Sequence, residues 1–146
     1  MRRMWLAVWL AALAGCPEEG PPACVVVETS CTPLYMPTFD NVFNNTLKSG
    51  CGSQLGSCHS ASGVGEMSLA DPAAAYASLL DGRVTPGDPG CSEVVVRTGA
   101  TGADYQMPPG TALGASERCS LIQWVQAGAP GPVVTAAFGA APEAAP

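Results

Sequence analysis

The apolar positions of the chain fall into short groups separated by glycines, prolines and small polar residues. The first group, Trp5–Gly15, is a continuous run behind Arg2 and Arg3. A basic start followed by a short apolar stretch has the shape of a secretory signal, and the run is too short to span a bilayer as a helix. Val25-Val26-Val27 predicts a short strand or extended segment between Cys24 and Cys31. Farther along, Phe39, Val42, Phe43 and Leu47 follow helical spacing and predict a helix over Thr38–Lys48. Thr38 suits its cap, Asp40 its first turn and Lys48 its last, with Gly50 just beyond. Asn44-Asn45-Thr46 is formally a glycosylation sequon and reads as the solvated face of this helix.

A second helix is predicted over Asp71–Leu80, with Asp71 as cap, Pro72 at the first helical position and Gly82 at its end. Pro86-Gly87-Asp88-Pro89-Gly90 is a turn. Cys91–Arg97 fits either a short helix or an extended segment. A third clear helix begins at Ser116, with Cys119, Ile122 and Val125 in one stripe and Leu121 and Trp124 on a neighbouring face. Gly128 ends it and Pro130 prevents its continuation. Trp124 is expected in the core. The pattern predicts three helices joined by long loops, with the segments at Val25–Val27 and Cys91–Arg97 left open. The parts of the chain are a signal at 1–15, a tether and disulfide loop at 16–36, a helical domain at 37–130 and a disordered tail at 131–146.

Composition narrows the function. The chain has 146 residues, net charge −6, seven cysteines and one histidine. Six Lys/Arg against twelve Asp/Glu leave no basic surface for a nucleic-acid backbone. A single histidine excludes a multi-histidine metal site, and so many cysteines point to an oxidising compartment or a covalent cofactor. Leu13-Ala14-Gly15-Cys16 resembles a bacterial lipobox, which implies cleavage before Cys16 and lipidation of its thiol. The resemblance implies an exported lipoprotein on the periplasmic side of the outer membrane or at the cell surface. Acyl chains on Cys16 would be its membrane contact. Cys24 and Cys31 are expected to close a small loop as a disulfide, free thiols being the alternative.

The chemistry concentrates at Cys58-His59 and at Met107. Attachment of a c-type haem uses two cysteines for thioethers and an adjacent histidine for iron, in the spacing Cys-x-x-Cys-His. Here Cys51 and Cys58 have six intervening residues. On a regular helix that separates the sulfurs by about 10 Å, against about 4.5 Å for the usual spacing. The Gly- and Ser-rich insert could bulge and bring them together, for haem or for a Cys51–Cys58 disulfide. A thiol–disulfide protein using this pair is a weaker reading. Met107, between Gln106 and Pro108-Pro109-Gly110, offers a soft thioether; otherwise it is a packing residue. Glu66 and Asp71 could be imagined as an acid/base pair, but carboxylates flanking a helix start serve as caps.

Taken in order, these motifs resemble the cytochrome c-like domains of exported lipoproteins from bacteria such as myxobacteria and planctomycetes. The resemblance runs over Pro37–Ala129. It rests on the helix at Phe39–Leu47, Cys51, Cys58-His59, Gly65-Glu66-Met67-Ser68-Leu69 and Ala75-Tyr76, then on Pro86-Gly87-Asp88-Pro89, Met107-Pro108-Pro109-Gly110 and Trp124-Val125-Gln126-Ala127-Gly128-Ala129. It implies an all-helical cytochrome c-like fold with haem c on Cys51 and Cys58, and His59 and Met107 as iron ligands. The spacing from Cys51 to Cys58 departs from the family pattern and bears on the Cys51 thioether. Cys91 and Cys119 lie outside the haem motif and are expected to pair, which would contribute about 3–4 kcal/mol. The function implied is electron transfer to an unidentified redox partner, without catalysis. The alternative is a haemless, disulfide-stapled lipoprotein domain with a binding or structural role.

Overall fold

In the computed structural model, residues 20–52, 58–60 and 67–133 are described. The signal at 1–15, Cys16, Glu66 and the tail from 134 lie outside them. Thr38, extended at its own backbone, accepts from the Asn41 N–H and starts helix α1 at Phe39–Val42, with Asp40 in the first turn. The helix continues directly into a π-helical segment, Phe43–Cys51, so it runs past Lys48 to the first cysteine of the pair. Asp71 caps helix α2, Pro72–Leu80, through a 2.9 Å bond from the Ala74 N–H to its side chain. Cys91–Arg97 resolves as helix: α3 spans Glu93–Gly99. Helix α4 spans Ala115–Gln126 and starts one residue before the expected Ser116. Regular structure among the described residues is helical throughout: the helices that apolar spacing predicts form, and Val25–Val27 is extended without a strand partner. No helix among them is long and apolar enough to cross a membrane.

Helix α4 is the central element. Cys119, Leu121, Ile122, Trp124 and Val125 are all buried, so both of its predicted apolar faces are covered. Trp124 is fully buried and Phe39 of α1 lies against it, ring centroids 5.8 Å apart. Tyr76 of α2 meets the same Phe39 edge-on at 5.1 Å. Gly128, at φ +91°, closes α4 as expected. The Gly128 N–H donates to Val125 O and the Ala129 N–H to Trp124 O, the paired bonds of a Schellman turn.

The segment before α1 is extended, with no strand partner, and runs as a strap over α4. Ser120 Oγ accepts from the Leu34 and Tyr35 N–H groups, and the Leu34 N–H also reaches Ser116 O at 2.8 Å. Gln123 Nε2 donates to Thr29 O and Cys31 O. The Val25 N–H donates to Gly90 O at 2.9 Å, where a side chain on residue 90 would collide with Val25 O.

This course corrects the expected cysteine pairing. Cys24 bonds to Cys91 and Cys31 to Cys119. The expected local loop Cys24–Cys31 and the expected Cys91–Cys119 bridge do not form, because the extended strap carries its two cysteines to different neighbours. All four expected disulfide cysteines are used. Cys51 and Cys58 are unpaired, so no third staple joins them.

The connectivity is directly testable. Trypsin cuts after Lys48, Arg83, Arg97 and Arg118, which puts Cys24 and Cys31 on one peptide and Cys91 and Cys119 on two others. The three peptides are expected to stay joined until reduced, and further cleavage after Glu28 should split them into a Cys24–Cys91 pair and a Cys31–Cys119 pair. A first peptide released by itself without reduction would overturn this arrangement. Replacing Cys31 and Cys119 by serine is expected to lower stability by about 3–4 kcal/mol in denaturant unfolding.

Candidate functional site

The π-helical segment owes its wide turn to its polar residues. Asn44 Nδ2 donates to Asp40 O, Asn45 Nδ2 to Asn41 O and Ser49 Oγ to Asn45 O, each reaching four residues back. These side chains take carbonyls that an α-helix would bond through its own N–H groups. At the end of the segment the Gly52 N–H reaches back five residues to Leu47 O. Thr46, Leu47 and Cys51 of this segment lie on the wall of one cavity. Thr46 departs from the expected solvated face: seven residues after Phe39, it lies on the apolar side of the helix and is buried, while Asn44 and Asn45 are exposed.

His59 is placed by backbone pairing. The Leu69 N–H donates to His59 O at 2.6 Å. Leu69 packs in turn on Gly52, where a Cβ would stand 2.5 Å from Leu69 O. Only glycine permits that approach, so the end of the π segment, Leu69 and His59 form one stack. His59 lines the cavity, and its Nδ1 is buried with no hydrogen-bond partner among the described residues. A buried unsatisfied polar atom costs about 1–3 kcal/mol and calls for a reason.

Met107 reaches the cavity from the loop after α3. Its N–H donates to Arg97 O at 3.0 Å, and Arg97 Nη1 bonds Tyr105 O at 3.3 Å. Gln106, buried, braces the loop from within: its Oε1 accepts from the Gly102 N–H and its Nε2 donates to Pro108 O. Two neighbouring segments and a loop distant in sequence thus bring Cys51, His59 and Met107 to one cavity of about 300 Å³. Apolar side chains, among them Leu47, Leu69, Leu79, Val94 and Leu113, make up much of its wall. This is the composition of a site for a largely apolar ligand with a few polar anchors.

Burial pushes the Cys51 thiol up in pKa, and the charges of Glu117 and Cys58 push it in the same direction. Cys58 is therefore near enough to act on Cys51, although it is exposed itself. Glu117 is held at the back of the cavity by Thr46, whose Oγ1 donates to it at 2.8 Å and also bonds the Tyr35 hydroxyl. Burial raises the pKa of that phenol too, so it stays protonated and serves as a donor. Trp124 does not line the cavity; it belongs to the core, as expected. Asp71 acts as a cap, as expected.

No protein-family model, curated protein or solved structure matches the chain. Haem is implied by the sequence resemblance alone, and the residues present fit it. The His59 imidazole lines the cavity, Met107 offers a thioether, and Cys51 and Cys58 are unpaired thiols. Among the described residues there is no group of three or more His, Cys, Asp and Glu side chains placed to hold a bare metal ion.

Sequence reasoning missed Thr46, Met67, Arg83 and the Glu93–Arg97 pair as cavity residues. The four-residue spacing of Glu93 and Arg97 was a readable helical signal; Arg83 and Met67 carried none.

Two measurements check this geometry. Cys58 should be alkylated first at neutral pH, while Cys51, with its raised pKa and partial burial, should react slowly and speed up as pH rises toward its thiolate range. Peptide mass mapping after timed alkylation reads both, and equal rates would contradict the placement. Gly52→Ala should displace Leu69 and lower stability by about 1–3 kcal/mol in urea unfolding.

Proposed function

We propose that this chain is an electron-transfer protein of the cytochrome c-like class, lipid-anchored through Cys16 and carrying one covalent haem c. The observation that supports this reading best is the apolar cavity shared by Cys51, His59 and Met107, with an imidazole nitrogen buried and unpartnered. His59 and Met107 would hold the iron, and Cys58 and Cys51 would form the thioethers. When bound, haem supplies a one-electron redox centre, and His/Met ligation sets it at a raised potential.

The chain's own residues orient and enclose that centre. The Leu69 N–H fixes the His59 backbone, and Gln106 with the Arg97 carbonyl fixes Met107. Leu47, Leu69, Leu79 and Val94 keep water from the ligand. Cys51 lines the cavity and Cys58 directly precedes His59 on its wall, which is where thioethers at both would have to form. The protein would act at the periplasmic side of the outer membrane or at the cell surface, exchanging electrons with a partner protein and catalysing no reaction itself.

A second reading is a haemless, stapled lipoprotein domain with a binding or structural role. The disulfides Cys24–Cys91 and Cys31–Cys119, which stabilise the helices without any bound group, favour it. One experiment separates the two. The full chain made in a host with haem-attachment machinery should gain the mass of one haem and show a reduced c-type spectrum. Met107→Ala should abolish the methionine–iron absorption band while leaving the mass gain intact. Absence of any haem mass would favour the second reading.

A further inference from the structure

The cavity wall carries charged side chains that neither the proposed iron ligands nor the thioethers use. The chain is acidic, and its cations among the described residues are Lys48, Arg83, Arg97 and Arg118. Two of these, Arg83 and Arg97, line the cavity, where Glu93 is the carboxylate among the lining residues. Arg83 bonds Ser78 O and Asp81 O through Nη1, which anchors the guanidinium to the end of α2. Its Nε and Nη2 make no hydrogen bond among the described residues. Arg97 bonds Glu93 Oε1 through Nε at 2.6 Å and Tyr105 O through Nη1 at 3.3 Å, with Nη2 making none among those residues. The planar fork of arginine matches a carboxylate, and each of these two side chains has donors left for one.

We propose that Arg83 and Arg97 bind carboxylate on the wall of this cavity, and that Glu93 is the internal carboxylate a bound ligand displaces from Arg97. The ligand class is an apolar macrocycle carrying carboxylate groups, with its body against Leu69, Leu79 and Val94. This inference rests on the haem reading and specifies which edge of the group faces which wall. Glu93 and Arg97 are one helical turn apart, and their side chains are 36% and 29% exposed. An ion pair so open to water contributes little by itself, so exchanging one carboxylate for another is inexpensive. Among the lining residues Arg83 and Arg97 outweigh Glu93, while Glu117 lies behind Thr46 at the back of the cavity.

The test uses the full chain prepared without haem attachment, titrated with haemin and separately with haemin dimethyl ester, whose carboxylates are blocked. Trp fluorescence quenching and the haemin absorption shift report binding. Haemin is expected to bind about tenfold more tightly than the ester, the effect of one charge-assisted pair. Arg83→Gln and Arg97→Gln should bring haemin toward the affinity of the ester and leave the ester unchanged. Glu93→Gln should tighten haemin several-fold and leave the ester unchanged, and as a substitution at a half-exposed position it keeps the test independent of any folding defect in the arginine variants. Equal binding of haemin and ester to the unaltered chain would overturn the arginine assignment while sparing the haem reading. Unchanged haemin affinity in Glu93→Gln would overturn the displacement. If neither compound bound, this inference would fall, while the haem reading would still be decided by the mass gain of the chain made with attachment machinery.

Discussion

The contact of Phe39 with Trp124 ties the molecule together. It joins α1 to α4, and Tyr76 brings α2 onto the same ring of Phe39. The polar ends of these aromatics are met by one short stretch of chain. Trp124 Nε1 donates to Pro130 O and the Tyr76 hydroxyl to Ala129 O. Those carbonyls are in reach because Gly128 turns the chain back over α4. The termination of a helix and the satisfaction of two buried aromatic donors are therefore one event, and a side chain at residue 128 would disturb both. A buried indole or phenol without a partner would forfeit much of what its ring gains from burial.

Around this cluster the regular structure is sparse. Helix α1 has four residues before it widens, and α3 has seven. Such elements are not stable by themselves. They hold because long-range tethers replace local helical stability. The strap bonds Ser120 and Gln123 of α4, the turn at Gly87 donates to Val125 O, and Met107 hangs from the last turn of α3. The cavity inherits its geometry from these tethers. Its donors come from loops, yet each loop is fixed by a backbone bond to a helix or to a neighbouring loop. Small domains that cannot build a large core commonly add covalent staples for the same reason.

What could be read from sequence was whatever local spacing encodes. Phe39, Val42, Phe43 and Leu47 are all buried, Thr38 and Asp71 cap their helices, and Gly82 and Gly128 have the positive φ that a helix exit favours. His59 and Met107 stood out because each sits in a recognisable short motif, and both line the cavity. Disulfide partners were not legible, since spacing along the chain does not reveal where an extended strap will lie. The π winding was equally hidden, because it arises from asparagine and serine side chains competing for carbonyls, a contest that apolar periodicity does not register. Thr46, grouped with its sequon neighbours, reads as solvated, yet it lies seven residues after Phe39 and shares the buried face of an ordinary helix, so helical spacing could have placed it. Arg83 reached the cavity from the end of α2, with nothing in its neighbours along the sequence to announce it.

The two staples also determine how the molecule bears a mechanical pull. A force drawn between the two ends of the chain enters the fold at Cys24 and follows the shortest covalent route. That route runs along the strap to Cys31, crosses its disulfide to Cys119 and leaves through the rest of α4. Residues 32–118 lie on a slack loop closed by that bond, and the Cys24–Cys91 bond offers a second bypass. The π segment, His59, Met107 and both cavity arginines all fall inside the slack loop. Tension would stretch a short strap while the walls of the cavity stayed unloaded and in register.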